Sequence, residues 1–124
     1  IPASGFYEWQ TVEGRKQPFY IRPRRGEGIF VFAGLFSVCA GPEGELPTCT
    51  IVTTAPNDLM APIHDRMPVI LAPQDQAAWL DPENRHAVEL LRPYLAAKME
   101  AYPVGPAVGN PKNDGAGLIV AVES

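Results

Sequence analysis

The run Ile29-Phe30-Val31-Phe32-Ala33-Gly34-Leu35-Phe36 constrains the fold more than any other feature of the chain. It has the length and residue types of a β-strand, and both of its alternating faces are apolar. A strand of that kind must be covered on both sides, which a single sheet cannot do. Either two layers close around it, or an apolar surface stays open for an oligomer to cover. With 124 residues, 46% of them hydrophobic, the chain is long enough for one core and too apolar to be disordered. No apolar run approaches the ~20 residues that a bilayer core requires, so no membrane partner is expected.

The rest of the first half also reads as strands. Residues 4–10 are rich in aromatics and end at the polar turn Glu13-Gly14-Arg15-Lys16. Residues 17–22 are the hairpin partner, with Pro18 at a strand start, where a missing N–H is tolerated. A Gly/Pro/Glu loop over residues 40–47 leads to the β-branched stretch 48–54. The second half changes character. A short helix is expected at 57–61, then an irregular segment bracketed by Pro62 and Pro68, then a short strand at 69–71. Helices are expected over 73–80 and 83–91, with a third, short one within 94–101. An edge strand at 102–104 and a Gly/Pro/Asn-rich loop over 105–117 follow. There is no repeat and no linker, so residues 1–124 read as one α+β domain.

The formal net charge of −4 argues against a protein that coats nucleic acid nonspecifically, but leaves room for a local basic groove. Two cysteines, Cys39 and Cys49, are too few for a disulfide scaffold and match no zinc spacing; they read as small buried hydrophobes in a reducing cytosol. The chain opens Ile1-Pro2-Ala3 directly into an apolar stretch, which reads as the inside of a domain whose first part is missing. Phosphate-loop, dinucleotide and nucleophile-elbow motifs are absent.

Few residues remain to carry chemistry. Glu8 lies between Tyr7 and Trp9, and alternation puts Phe6, Glu8 and Gln10 on one face. It is either a solvated strand residue, the plainer reading, or an acid held inside with a partner and usable as a general base. His64 sits in the proline-bracketed loop with Asp65 and Arg66, either as a hydrogen-bonded structural residue or as a displayed catalyst. His86 and Glu89 form half a metal site with nothing to complete it, so no metal is expected. Arg15, Lys16, Arg22, Arg24 and Arg25 form a basic cluster around one turn, which is either a solvated tip or a phosphate-contacting edge.

The motifs Gly5-Phe6-Tyr7-Glu8-Trp9 and His64-Asp65-Arg66-Met67-Pro68 resemble those of the SRAP (SOS-response-associated peptidase) family. So do Lys16-Gln17-Pro18-Phe19-Tyr20-Ile21, Phe32-Ala33-Gly34-Leu35, Thr48-Cys49-Thr50-Ile51-Val52-Thr53-Thr54 and the loop from Val108 to Gly115. The resemblance runs in order over essentially the whole chain. It implies an α+β, β-rich antiparallel or barrel-like SRAP domain with a few short helices, whose N-terminal segment is absent here.

The implied function is sensing abasic sites in single-stranded DNA. The family forms a covalent thiazolidine crosslink through an N-terminal cysteine, shows abasic-site lyase behaviour, and is named for an autopeptidase activity. Glu8 and His64 match the family's acid/base residues, and Thr53 a pocket position. With the basic residues and the aromatic stacking surfaces, the DNA-binding set is Trp9, Thr53, Arg66, Arg22, Arg24 and Lys112. No cofactor is expected, the implied location is cytoplasmic and nucleoid-associated, and this chain alone is expected not to crosslink. The alternatives are a thiol-dependent peptidase using the same pair and a non-catalytic single-stranded-DNA-binding module.

Overall fold

Strand β1 (Pro2–Ala3) leads into β2 (Phe6–Val12), which turns through Glu13 and Gly14 into β3 (Arg15–Pro23); the computed structural model describes residues 1–123. The hairpin pairs in register from Phe6 opposite Ile21 to Val12 opposite Arg15. Glu13 and Gly14 have φ of 51° and 76°, the backbone of a type I′ turn, whose twist suits its flanking strands. Glycine adopts this conformation freely, whereas Glu13 carries a Cβ penalty. Replacing Glu13 with Asn is therefore expected to stabilise the fold by about 0.5 kcal/mol, read as a higher urea midpoint.

Gly5 sets how closely the entry to β2 approaches its partner. A Cβ there would stand 2.5 Å from the carbonyl oxygen of Ile21 and as close to the Tyr20 ring. Gly5→Ala is expected to cost about 2 kcal/mol, because backbone has to move to make room; urea denaturation checks it.

β3 also pairs with β9 (Met99–Pro103), giving a three-stranded sheet in the order β2-β3-β9. One face carries Phe6, Phe19 and Ile21 into the core. The other brings Tyr7, Tyr20 and Tyr102 together in tilted and edge-to-face contacts, with centroid separations of 5.3 and 5.8 Å. Burial first, and then the neighbouring Tyr102 and Tyr7, push the Tyr20 phenol above its ordinary range.

The doubly apolar run is not one strand. β4 (Phe30–Val31) pairs with β1, and β5 begins separately within Gly34–Gly41. Phe30 and Phe32 enter the main core with Ile21, Met60, Ile63, Met67, Ile70 and Met99. Ala33 belongs to a smaller cluster with Val69 and Leu71, against which Trp79, Leu90 and Leu91 pack. The Ala33 N–H donates to the Val69 carbonyl and its own carbonyl accepts from Val52, each at 2.9 Å, so the chain is locked there between two neighbours. Coverage on both sides is thus achieved from Phe30 to Ala33 and ends at Gly34.

The expected loop at 40–47 is instead the tip of a long hairpin. β5 pairs with β6 (Gly44–Ile51) across Pro42 and Glu43, with Gly44 at φ 113°. Proline pre-sets the turn and Gly44 takes the positive φ, a pairing of residues that favours a tight reversal. Every residue of β6 is exposed, as are Leu35, Phe36 and Val38 of β5. The expectation of an open apolar surface is met in this ribbon. Cys39 and Cys49 lie on it as exposed thiols, which corrects their reading as buried hydrophobes.

Beyond the ribbon, β7 (Thr53–Thr54) pairs with β8 (Met67–Pro68), and Ile70 bridges to Phe32; the strand expected at 69–71 is thus displaced toward the proline. The helix α1 (Pro73–Leu80) forms with proline in its first turn, as its residues indicate. The other expected helices do not form. Residues 57–61 make successive turns, 83–91 retains a 3₁₀ turn at Ala87–Leu90, and 94–101 retains one at Ala96–Lys98 before β9. Pro62 ends the first segment and Pro93 the second, and the third gives up its residues from Met99 onward to β9. No helix among the described residues is long and apolar enough to cross a membrane.

Candidate active site at the free edge of strand β2

β2 is an edge strand of its sheet, and its alternation sends Phe6 into the core while Glu8 and Gln10 follow on the same side. Residues 57–66 pass over that side. The Asn57 side-chain oxygen accepts from the Met60 N–H at 3.0 Å, and the Met60 carbonyl accepts from the His64 N–H at 2.9 Å. Met60 and Ile63 are buried, which roots the segment in the core. From β2, Gln10 Nε2 donates to the Pro62 carbonyl at 2.8 Å. On the far side Arg66 Nη2 donates to the Thr53 carbonyl at 2.8 Å and to its hydroxyl at 3.1 Å.

These ties bring His64 to Glu8. Nε2 of the ring stands 3.7 Å from Glu8 Oε1, a close approach longer than a hydrogen bond. The Glu8 side chain is 25% exposed and the His64 side chain 40%. Glu8 Oε1 also accepts from the Trp9 N–H at 3.2 Å. At the other ring nitrogen, Nδ1 accepts from the Arg66 N–H at 3.1 Å, with Asp65 Oδ1 at 3.3 Å. A neutral ring that accepts at Nδ1 carries its proton on Nε2, facing Glu8. A protonated ring offers Nδ1–H to Asp65.

The pair opens into a cleft of about 350 Å³ lined by Glu8, Trp9, Thr11, Lys16, His64 and Gly109. Lys16, opposite Thr11 in the hairpin, adds a cation to its lining. Its place in the cleft was not assigned from sequence; fixing the turn at two residues, which sets the register, would have found it.

The remaining candidate residues are dispersed. The basic cluster is not one cluster, because β3 is extended and separates Lys16 from Arg22. Arg22 lies on the tyrosine face, away from Glu8, where it meets Glu100 at 2.6 Å and stacks over Tyr102. That hydrogen bond to Glu100 is the main reason its guanidinium is held above the ordinary range. Arg24 and Arg25 line a separate hollow with Ser4, Arg22 and Glu100. Arg66 is occupied by Thr53, as described. Lys112 is exposed on a turn, its N–H donating to Asn110 Oδ1 at 3.0 Å, three residues beyond Gly109 of the cleft. His86 and Glu89 approach to 3.9 Å, and no group of three or more His, Cys, Asp or Glu side chains suited to a metal occurs among the described residues.

A carboxylate and an imidazole thus face one another in an open cleft at a sheet edge, on a β-rich scaffold of small antiparallel sheets. Residues 1–111 match the family model described as SOS response associated peptidase (SRAP), and the chain belongs to that family. It is 47% identical, over 96% of its length and 55% of the relative's, to the abasic site processing protein YoqW of Bacillus subtilis. To the abasic site processing protein HMCES of Gallus gallus it is 33% identical, over 99% of its length and 43% of the relative's. A crystal structure of a protein from Bacteroides thetaiotaomicron superposes with a TM-score of 0.88 at 30% identity, covering 99% of this chain and 56% of that one. The chain thus spans about half the length of the curated relatives it matches.

Proposed function

We propose that this chain supplies the acid/base half of a domain that processes abasic sites in single-stranded DNA by forming a thiazolidine crosslink. The observation that carries this reading is the apposition of Glu8 and His64 in an open cleft that Lys16 also lines. The names of the relatives, abasic site processing proteins, support the substrate.

The chemistry needs an amine and a thiol on one residue. An abasic deoxyribose opens when its ring oxygen gains a proton, which His64 donates, and an aldehyde is released. The amine, relieved of its proton by Glu8, adds to that aldehyde carbon, and loss of water gives a Schiff base. The thiol then adds to the same carbon, its proton passes to the nitrogen, and the five-membered ring closes. The balance is aldehyde plus amino-thiol giving thiazolidine plus water. An α-amine with a pKa of ~7.7–8.0 is mostly protonated at neutral pH, so a base beside it raises the reactive fraction.

Cys39 and Cys49 do not meet the requirement. Their nitrogens are in peptide bonds, and both thiols lie on the β5–β6 ribbon. The amino-thiol comes from polypeptide outside these residues.

The test is a denaturing gel with abasic single-stranded DNA. A longer form of the domain that presents an N-terminal cysteine is expected to give a retarded, denaturant-resistant band, and the chain of 124 residues none. Failure of the longer form to shift the DNA overturns the reading. The same pair would also serve a thiol-dependent peptidase, the activity in the family's description. Peptide cleavage without a DNA adduct would select that alternative.

A further inference from the structure

We infer that the hollow where β3 ends beside β9 is an anion site that takes a phosphate group through the forks of Arg22, Arg24 and Arg25. It shares no lining residue with the Glu8–His64 cleft. The site is therefore separate from the acid/base pair and does not depend on the crosslinking proposed above.

Backbone bonds hold the hollow in shape. β3 ends at Pro23, and the chain reverses over Arg24, Arg25, Gly26 and Glu27. The Glu27 N–H donates to the Arg24 carbonyl at 2.9 Å, and Gly26 has φ 90°, which suits the third position of a type II turn. The Arg24 N–H donates to the Lys98 carbonyl at 2.9 Å, which ties the turn to the start of β9. Arg25 takes the second position of the turn and is exposed.

Two of the guanidinium groups are anchored in the same way. Arg22 Nε donates to Glu100 Oε1 at 2.6 Å, and the group lies 5.0 Å from the centre of the Tyr102 ring. Arg24 Nε donates to the Met99 carbonyl at 3.2 Å. Both groups are thus oriented from the Nε end. Their terminal nitrogens, and the whole Arg25 side chain, make no hydrogen bond among the described residues. Paired N–H donors on a planar fork match phosphate oxygens, and donors already oriented lose less freedom on binding. Ser4 adds a hydroxyl to the lining.

Charge and shape agree with that ligand. Three guanidinium groups line the hollow against one carboxylate, Glu100, which Arg22 already neutralises. The chain as a whole carries −4, so this is a positive spot on an acidic molecule, and such a spot concentrates anions. The hollow measures about 690 Å³ and no aromatic ring lines it, so it reads a phosphate and not a base. The phosphate comes from a free compound or from a nucleic-acid strand, and the recognition chemistry is the same.

The experiment titrates the isotope-labelled chain with pyrophosphate at constant ionic strength, following arginine Nε–H and backbone amide signals. Saturable shifts are expected at Arg22 and over residues 24–28. Arg24→Ala combined with Arg25→Ala is expected to weaken binding at least about tenfold. The corresponding lysine pair keeps the charge, loses the forks and is expected to recover only part of the affinity. Arg25→Ala alone is expected to weaken binding with the urea midpoint unchanged, which separates loss of ligand from loss of fold. Shifts that never saturate, or that saturate equally in the double alanine variant, overturn the assignment. An undamaged single-stranded oligonucleotide that displaces pyrophosphate identifies the strand as the source, and one that does not leaves a free phosphate compound. No abasic site is involved, so this test and the crosslinking gel fail separately.

Discussion

Glu8→Gln, made in a form of the domain that presents an amino-thiol, is expected to slow crosslinking to abasic DNA by about 10²–10⁴-fold. The substitution preserves size and removes the ability to take a proton. It also removes the charge 3.7 Å from His64 Nε2. His64→Ala is expected to fall in the same range, because ring opening then relies on water as the acid. The double variant is the sharper measurement. The two side chains are in contact and act on successive steps, of which the slower sets the rate, so Glu8→Gln combined with His64→Ala should be little slower than the worse single variant. Band intensity against time on a denaturing gel gives all three rates. Independent losses that multiply would show that the two residues do not act as a unit.

Phe30→Ala is expected to cost about 3–5 kcal/mol, a large part of the roughly 5–15 kcal/mol that stabilises a typical domain. Phe30 is 1% exposed and packs against Phe6, Phe32 and Tyr94 at ring separations of 6.0, 6.2 and 6.1 Å. Those rings come from β2, the segment after β4 and the loop before β9, so the cavity opens where three parts of the chain meet. Partial collapse cannot fill it, because each neighbour is held by its own strand or turn. A urea denaturation curve checks the figure. A midpoint unchanged from the parent would mean that the main core lies elsewhere.

The first hairpin was legible because alternation, a Gly-containing turn and a proline at the strand start agreed over residues 6–22. The second half was not, because apolar spacing near Leu90 and Leu91 suits a helix while the prolines around it decide the outcome. The run at Ile29 was legible as a double-faced burial problem, but its break at Ala33 depends on hydrogen bonds to Val52 and Val69, which are remote in the chain. Alternation alone favoured a solvated Glu8, and only the family resemblance paired it with His64. Their contact depends on the Gln10–Pro62 and Arg66–Thr53 ties, which no local pattern announces. The basic residues misled as a group because closeness in sequence becomes separation along an extended strand.

The His64 segment is tied down beside the cleft, by Gln10 at one end, Thr53 at the other and Met60 beneath. If the function proposed above holds, a pair fixed in this way leaves the fitting to the substrate, so the rate should follow how well the damaged sugar brings its ring oxygen to His64. Substrates would then be ranked by their own shape, with the protein acting as a fixed die into which each is pressed.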